Sequence, residues 1–255
     1  MQVRKKNRSV ILFVRNSITE IRDKNLFHGG KTKKVLDAFT EKITLSVLEA
    51  NKKLEFDFII STDSKNDYPS IYKISDNNCL RIYQQGNNFG ERFVNTLSAA
   101  FSFGYEEVII LGNDAPEISA SHILKTFDEL NKNDCTVIGP AQDGGFYLLG
   151  LTTFNKNTFN GIPWQTDDVL SQLKENIKRV NHNFILIETL CDIDNRNDLF
   201  QWLSAETPFG ISLKKQIISD ANPNQTFELK PSLFKKLKQL RRITQKAPPV
   251  FTSSL

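Results

Sequence analysis

A series of short apolar runs, some of which end in a glycine- or aspartate-containing turn, constrains the fold more than any other feature. The clearest predicted strand, Glu107–Leu111, leads directly into the turn Gly112–Pro116, and an apolar run at Val10–Val14 stands near the start of the chain. Unbroken apolar runs of this length are typical of strands that are buried on both faces of a parallel sheet. The chain is therefore expected to contain a sheet that is covered on both sides.

Segments with helical spacing of apolar residues alternate with the predicted strands. Val35–Ala50 has this spacing, and Ser119–Asn131 has it with Ser119 as the predicted N-cap. Alternating strands and helices predict an α/β fold with a mostly parallel sheet. Arg15–Lys34 is predicted to be mainly a loop, with a helical start left open. The other predicted strands are Phe56–Ile60, Leu80–Tyr83, Cys135–Gly139, Phe146–Leu151 and Phe184–Ile187, and the other helices begin near Phe89 or cover Thr166–Val180 and Asn195–Leu203.

The residues beyond the predicted sheet form a basic segment that contains several prolines. Residues 1–204 are predicted to be one domain and residues 205–255 an extension, with a helix at Lys230–Ile243. The formal net charge of the whole chain is only +4. Because this surplus is too small to require a polyanionic partner, binding to nucleic acid is not expected.

The cysteine pattern and the hydropathy argue against several classes of protein. Cys79, Cys135 and Cys191 are odd in number and far apart, which argues against a disulfide framework and a structural zinc site. We expect no secretory leader and no membrane span, since the apolar stretches are too short for either. The expected location is the cytoplasm. The sequence leaves open whether the chain forms a homodimer.

The turn after Glu107–Leu111 carries the strongest functional signal. Ligands of open α/β sheets bind at the carboxyl ends of the strands, and Gly112, Asn113 and Asp114 follow such an end. Gly112 permits close approach of a ligand or of another backbone segment. The carboxylate of Asp114 is suited to hold a divalent cation that bridges phosphates. The alternative, in which Asp114 caps a turn or the following helix, is equally compatible with this segment.

A second turn, Asp143-Gly144-Gly145, lies between two apolar runs. A hairpin turn explains these residues without any function, and this segment alone favours that interpretation. In the functional interpretation, the two glycines let a ligand lie close to the backbone. Asp143 would then bind a ribose or sugar hydroxyl, a metal ion or an incoming acceptor.

Two further segments carry candidate ligand-binding residues. Gly90, Glu91 and Arg92 lie at the start of a predicted helix, where free N–H groups can hold an anion; the alternative is an exposed loop with a helix cap. Asp192 and Asp194 lie on one side of an extended segment. This pair suits a metal contact, or an aspartate here caps the next helix.

Five segments together are similar to a known family. They are GNNFGERF (86–93), VIILGNDAP (108–116), IGPAQDGGFYLLGL (138–151), GIPWQT (161–166) and LCDIDNRNDL (190–199). In the order and spacing of these motifs, over roughly residues 9–203, the chain resembles the proposed glycosyltransferases called radical-SAM/selenodomain-associated transferase family 1. The resemblance implies the three-layer α/β glycosyltransferase-A fold of the nucleotide-diphospho-sugar transferase superfamily, a Rossmann-like fold with a mostly parallel mixed sheet.

The resemblance also implies a metal site. Asp114 would take the place of the metal-binding Asp in the DxD-like motif of the superfamily. Asp192 or Asp194 would correspond to a late Asp that helps to hold the metal in related nucleotidyltransferases. The implied cofactor is Mg or Mn.

The remaining implied contacts concern the substrate. Asp143, Gly144 and Gly145 would line the sugar or acceptor side, and Trp164 would lie on a loop over the cleft. The nucleotide would bind beside the first strand, near Phe13–Asn16, which includes Arg15. The phosphate-contacting Pro-Gly…Lys-Thr-Arg loop of many relatives has only a loose counterpart in this chain, at Gly29–Lys33.

Three functional hypotheses follow, all with a nucleotide sugar or a nucleotide as ligand. The first is a metal-dependent glycosyltransferase that uses a nucleotide-sugar donor, with Asp143 or Glu91 as base or acceptor-positioning residue. The second is a nucleotidyltransferase that acts on a small phosphorylated molecule and needs two metal ions, so that Asp192 and Asp194 become essential. The third is a non-catalytic nucleotide-sugar-binding or scaffold protein.

Overall fold

The computed structural model describes residues 7–15, 17–27, 31–63, 74–75 and 79–219. Among these residues, the apolar runs form a sheet of seven strands. The strands are β1 Arg8–Val14, β2 Asp57–Thr62, β3 Leu80–Tyr83, β4 Glu107–Leu111, β5 Cys135–Pro140, β6 Phe146–Leu151 and β7 Asn183–Leu186.

The strand order in the sheet is β3-β2-β1-β4-β6-β5-β7. Strands β3, β2, β1 and β4 are parallel to one another, β5 and β7 are parallel, and β6 is antiparallel to both of its neighbours. The predicted mostly parallel mixed sheet is therefore confirmed. Because the chain passes from β1 outward to β2 and β3 and then returns to the other side of β1, a crevice opens between the carboxyl ends of β1 and β4.

Helices cover both faces of the sheet and produce three layers. Val10 and Leu12 of β1 belong to one apolar cluster, whereas Ile11 and Phe13 belong to the other. This alternation follows from the two-residue period of a strand, which sends successive side chains to opposite faces. The helices are α1 Ser17–Lys24, α2 Lys31–Lys53, α3 Phe89–Ser102, α4 Ala120–Lys132, α5 Val169–Arg179, α6 Arg196–Ser204 and α7 Pro208–Ser219, with a short 3₁₀ helix at Lys156–Phe159. Helices α2 and α4 pack on the first face, and α3 and α5 on the second.

The segment predicted to be mainly a loop, Arg15–Lys34, contains helix α1 and the first turn of α2. The sequence of α1 has no clear apolar face, because two of the residues that it buries, Glu20 and Lys24, are charged. Its stabilising contacts are with residues distant in the sequence. The helix predicted at Thr166–Val180 begins later, at Val169. The loose phosphate-loop counterpart at Gly29–Lys33 lies partly outside the described residues.

Helix α7 lies within the segment that the sequence assigns to a C-terminal extension. Its residue Phe209 packs against Trp202 of α6, with ring centroids 5.7 Å apart, and against Phe39 of α2, at 6.3 Å. Residues 1–213 form one compact unit, and the second unit, residues 214–255, is described only at its start, where α7 continues to Ser219. The helix predicted at Lys230–Ile243 lies outside the described residues. Within the described part of the chain, no helix combines the length and apolar character that crossing a membrane requires.

Replacing the core residue Phe127 with alanine should destabilise the protein strongly. Phe127 of α4 is 1% exposed, and its ring lies 5.5 Å from that of Phe56. Removal of a buried phenylalanine ring leaves a cavity, so the free energy of unfolding should fall by about 3–5 kcal/mol in urea denaturation. The matched control is Phe103→Ala, whose side chain is 70% exposed; it should change the free energy by no more than about 0.5 kcal/mol. Equal losses in the two variants would contradict the assignment of Phe127 to the core.

Candidate active site

The turn at the carboxyl end of β4 is fixed by contacts on both sides. Gly112 N donates a hydrogen bond to Tyr147 O at 3.0 Å, which continues the pairing of β4 with β6. Asn113 is buried, and its Nδ2 donates to the two carboxylate oxygens of Glu20 in α1, at 3.3 and 3.4 Å. The predicted substrate-binding residue Asn113 therefore holds helix α1 against the end of β4. Asp114 follows and is half-buried.

A lysine that the sequence analysis does not identify lies beside Asp114. Lys24 Nζ, at the end of α1, is 2.7 Å from Asp114 Oδ1, 2.8 Å from Asp194 Oδ1 and 2.6 Å from the Ile193 carbonyl oxygen. Burial favours the neutral amine, but the nearby carboxylates of Asp114, Asp194 and Glu20 outweigh it and raise the pKa of Lys24. The residue is therefore a buried cation at neutral pH.

Three carboxylates converge next to this lysine. Carboxylate oxygens of Asp143, Asp192 and Asp194 lie within 4.8 Å of one another. Burial, together with the adjacent charges of Asp143 and Asp194 and a hydrogen bond with Asp143, raises the pKa of Asp192 to about 8. Oxygen ligands so arranged are the kind that Mg²⁺ and Mn²⁺ prefer.

Backbone hydrogen bonds bring these carboxylates together from distant parts of the chain. Gln142 N donates to Leu190 O at 3.1 Å, and Ile193 N donates to Asp114 O at 3.0 Å. The segment after β7 is thereby joined to the β5–β6 turn on one side and to the β4 turn on the other. Asn195, rather than Asp192 or Asp194, caps the next helix: its Oδ1 accepts from Asn197 N and Asp198 N. The interpretation of either aspartate as the N-cap is therefore wrong.

The Asp143-Gly144-Gly145 turn is a hairpin, because it joins the antiparallel strands β5 and β6. Gly144 adopts φ +91°, and a Cβ atom there would lie 2.1 Å from Asp167 O. Gly144 O also accepts a hydrogen bond from Leu170 N at 2.9 Å. The turn is thus packed against the start of α5. Asp143 itself is exposed, and its Oδ1 accepts from Gly145 N at 2.7 Å.

Aromatic packing holds the loop that carries Trp164. Its ring lies 5.1 Å from that of Phe93 and 5.5 Å from that of Phe89, at the start of α3. A Cβ atom on Gly90 would lie 2.2 Å from Trp164 Nε1, so the absence of a side chain at Gly90 makes room for the indole. Phe13 joins the same packing at 5.6 Å from Phe93 and is buried.

The charged residues at the start of α3 differ in their surroundings. Glu91 Oε2 accepts from Asn87 N at 2.7 Å, and Glu91 Oε1 accepts from Asn88 Nδ2 at 2.9 Å. Both carboxylate oxygens therefore serve the helix cap, as in the alternative interpretation of this loop. Arg92 is half-buried, and its guanidinium has no hydrogen bond or ion pair with another residue in the described ranges.

Arg15, the predicted nucleotide-binding residue after β1, forms an ion pair with Asp23 of α1 at 2.6 Å.

Comparisons with known proteins agree with this architecture. Residues 44–166, slightly less than half of the chain, match a sequence family described as "Uncharacterized protein conserved in bacteria (DUF2064)". A proposed nucleotide-diphospho-sugar transferase from Desulfovibrio desulfuricans G20 superposes with a TM-score of 0.69 at 23% identity, over 84% of this chain and 96% of that one. No curated protein sequence matches significantly.

The chain has a nucleotide-diphospho-sugar transferase fold. Two more distant structures share it. The 4-diphosphocytidyl-2C-methyl-D-erythritol synthase of Anaerococcus prevotii has a TM-score of 0.50 at 18% identity, over 77% of this chain and 96% of that one. Glucosyl-3-phosphoglycerate synthase of Mycobacterium tuberculosis has a TM-score of 0.50 at 10% identity, over 84% and 79%. The narrower resemblance to the radical-SAM/selenodomain-associated transferase family 1 stays a prediction.

The substitution Asp192→Asn should stabilise the folded protein, and the size of this effect should depend on pH. The folded protein keeps the Asp192 proton up to about pH 8, whereas the unfolded chain releases it near pH 4. Since a raised folded-state pKa makes wild type lose stability as the pH rises, the advantage of Asp192→Asn should grow between these two values and then level off. Melting temperatures measured by circular dichroism in EDTA, from pH 5 to 9, test this expectation.

The matched control is Asp134→Asn, because Asp134 is exposed and precedes the amino end of β5. Its melting temperature should follow that of wild type at every pH. A constant difference between Asp192→Asn and wild type across this range would mean that Asp192 titrates normally.

The substitution Gly144→Ala should destabilise the protein by more than the cost of its left-handed backbone conformation, because the added methyl group would meet a close neighbour. Gly144→Ala would place a methyl group against Asp167 O, whereas Gly161, with φ +66°, has no atom within 4 Å of a Cβ position. An alanine in the left-handed region costs roughly 1–2 kcal/mol at either site. Urea denaturation should therefore show a clearly larger loss for Gly144→Ala than for Gly161→Ala, and similar losses would argue against the close packing of the turn on α5.

Proposed function

We propose that this protein is a divalent-cation-dependent glycosyltransferase that uses a nucleotide-sugar donor. The observation that carries the proposal is the convergence of Asp143, Asp192 and Asp194 within 4.8 Å at the carboxyl edge of the sheet. In open α/β sheets this edge is where ligands bind. A nucleotide-diphospho-sugar transferase fold adds support, although a fold alone does not determine a reaction.

The carboxylates fit Mg²⁺ or Mn²⁺ in number and chemistry. Burial and the like charges of Asp143 and Asp194 raise the pKa of Asp192, and a divalent cation would offset that repulsion. Asp143, Asp192 and Asp194 would hold the cation, and the bound cation would supply positive charge against the diphosphate of the donor as the leaving group departs. Glucosyl-3-phosphoglycerate synthase, which shares the fold, was crystallised with Mn²⁺, UDP and glucosyl-3-phosphoglycerate.

The surrounding residues have separate tasks in this proposal. The guanidinium of Arg92, half-buried at the start of α3, would pair with a donor phosphate. Gly145 would let the sugar lie close to the hairpin backbone, whereas Asp167 fills the space beside Gly144. Trp164, packed on Phe89 and Phe93, would form a fixed wall of the cleft that excludes water.

Asp143 is a better candidate than Glu91 for the catalytic base or for the group that positions the acceptor. It is exposed at the tip of the hairpin, where an acceptor hydroxyl can approach it. Glu91 has both oxygens committed to the helix cap, so a proton transfer by Glu91 would require the cap to open.

The proposal predicts metal-dependent binding of a nucleotide sugar. Thermal shifts of the full chain would be measured with a panel of nucleotide sugars, with Mn²⁺ or with EDTA, followed by detection of nucleoside diphosphate released from the donor that binds. A ligand at one hundred times its Kd stabilises a protein by about 2.7 kcal/mol, which gives a readily measured shift. Asp143→Asn should lose the Mn²⁺-dependent part of the shift, and Asp134→Asn should keep it.

Two outcomes would point to the other hypotheses. Release of pyrophosphate from a nucleoside triphosphate would indicate nucleotidyl transfer instead of glycosyl transfer. No shift with any nucleotide or nucleotide sugar, in the presence or absence of Mn²⁺, would favour a non-catalytic scaffold protein.

A further inference from the structure

Helix α1 is held across the crevice between β1 and β4 by charged side chains. The helix follows β1, and among its described side chains those of Glu20 and Lys24 are buried. The Glu20 carboxylate accepts from Asn113 Nδ2 at 3.3 and 3.4 Å, and Lys24 Nζ lies 2.7 Å from Asp114 Oδ1. The helix is thus attached to the end of β4, at the edge where open α/β sheets bind their ligands.

The attachment of α1 depends on the carboxylates around Lys24. The lysine side chain is only 6% exposed, and the negative charges of Asp114 and Asp194 offset the cost of burying its ammonium group. A buried charge that loses its partner is strongly destabilising. If another cation took over these carboxylates, the interactions that hold Lys24 in the interior would therefore be lost.

The ammonium group satisfies the surrounding oxygens incompletely. Lys24 Nζ donates to Asp194 Oδ1 at 2.8 Å and to Ile193 O at 2.6 Å. Asp114 Oδ1 lies as close to Nζ, but it is shielded from solvent and has no hydrogen-bond partner in the described part of the chain. A short distance is not sufficient, because an N–H must also point at its acceptor. A buried carboxylate oxygen without a partner is costly, and direct coordination of a cation would satisfy it.

We propose that Lys24 is a stand-in for the divalent cation, and that binding of the cation displaces the ammonium group and releases α1 from the crevice. The inference rests on the proposed function, in which Asp194 is one of the three carboxylates that hold the cation. Lys24 donates to the same side chain, so the two cations compete for it. Like charges this close repel strongly in a partly buried site. The ammonium group is the one that leaves, because its charge is smaller and its four-carbon stem is flexible.

The displacement of α1 also sets the order in which ligands bind. The carboxylates of Asp143 and Asp194 are exposed, so a cation can reach them while α1 is still attached. A donor cannot enter the crevice until the helix leaves the end of β4. The cation therefore binds first and the nucleotide sugar second. Without the cation, Lys24 keeps the neighbouring carboxylates neutralised and the crevice covered.

The test is the chemical accessibility of Lys24 in the full chain, with EDTA or with saturating Mn²⁺ and without nucleotide. Acetylation of each lysine by an N-hydroxysuccinimide ester of acetic acid is followed by mass spectrometry. Lys24 should be acetylated at least about tenfold faster with Mn²⁺, because the reagent reaches the amine only after local opening of α1. The matched control is Lys33, a surface residue paired with Asp37, whose rate should not change.

A substitution gives an independent measurement of the same competition. Lys24→Met keeps a long unbranched side chain and removes the competing charge. Its Kd for Mn²⁺, measured by electron paramagnetic resonance titration, should therefore be at least about tenfold lower than that of wild type. Lys33→Met should bind Mn²⁺ as wild type does.

The outcomes separate this inference from the proposed function. If wild type binds Mn²⁺ but the acetylation of Lys24 does not change, or if the Kd of Lys24→Met is not lower, the displacement is overturned and the transferase proposal stands. If wild type binds no Mn²⁺, both are overturned, since no cation is then present to release the helix. If Lys24→Met does not fold, as judged by circular dichroism, the acetylation rates of wild type decide the question.

Discussion

The antiparallel insertion of β6 is the constraint on which the candidate active site depends. Since β6 runs back between β4 and β5, the hairpin that carries Asp143 lies at the edge of the sheet where β4 ends. The parallel pairing of β5 with β7 then brings the following segment to the same edge, where Leu190 pairs with Ala141. The antiparallel direction of β6 allows a tight hairpin to follow β5, whereas a parallel neighbour would have required a long crossover connection at this point.

The sheet could be predicted from the sequence because strands that are buried on both faces consist of consecutive apolar residues. β4 and β1 are apolar over consecutive residues, and the turn that follows β4 carries glycine and aspartate. The sequence of helix α1 has no comparable apolar pattern. Its buried residues, Glu20 and Lys24, are polar, and a polar helix with this pattern is typical of a solvated surface. Contacts with Asn113 and Asp194, which lie far away in the sequence, help to make the helix part of the interior.

The sequence indicates residues of the candidate active site but not the contacts among them. Asp143, Asp192 and Asp194 converge, although the hairpin interpretation of the first and the extended geometry of the other two gave no indication of their mutual distance. Glu91 and Gly90, which the sequence predicts to be catalytic and substrate-binding residues, serve a helix cap and the packing of Trp164. Lys24 could not have been found, because a lysine in a polar stretch is ordinarily a surface residue and its sequence carries no sign of the carboxylates around it.

The long sequence separation within the Lys24 contacts ties the site to the folding of the entire sheet. Lys24 and Asp194 are 170 residues apart along the chain, so their contact closes a loop that contains nearly every strand. Contacts of such long range raise the contact order, which slows folding. They also mean that the site is lost whenever the sheet opens, with no local unfolding step that spares it. Amide hydrogens at the centre of the sheet should therefore become more slowly exchanging when a ligand binds at its edge.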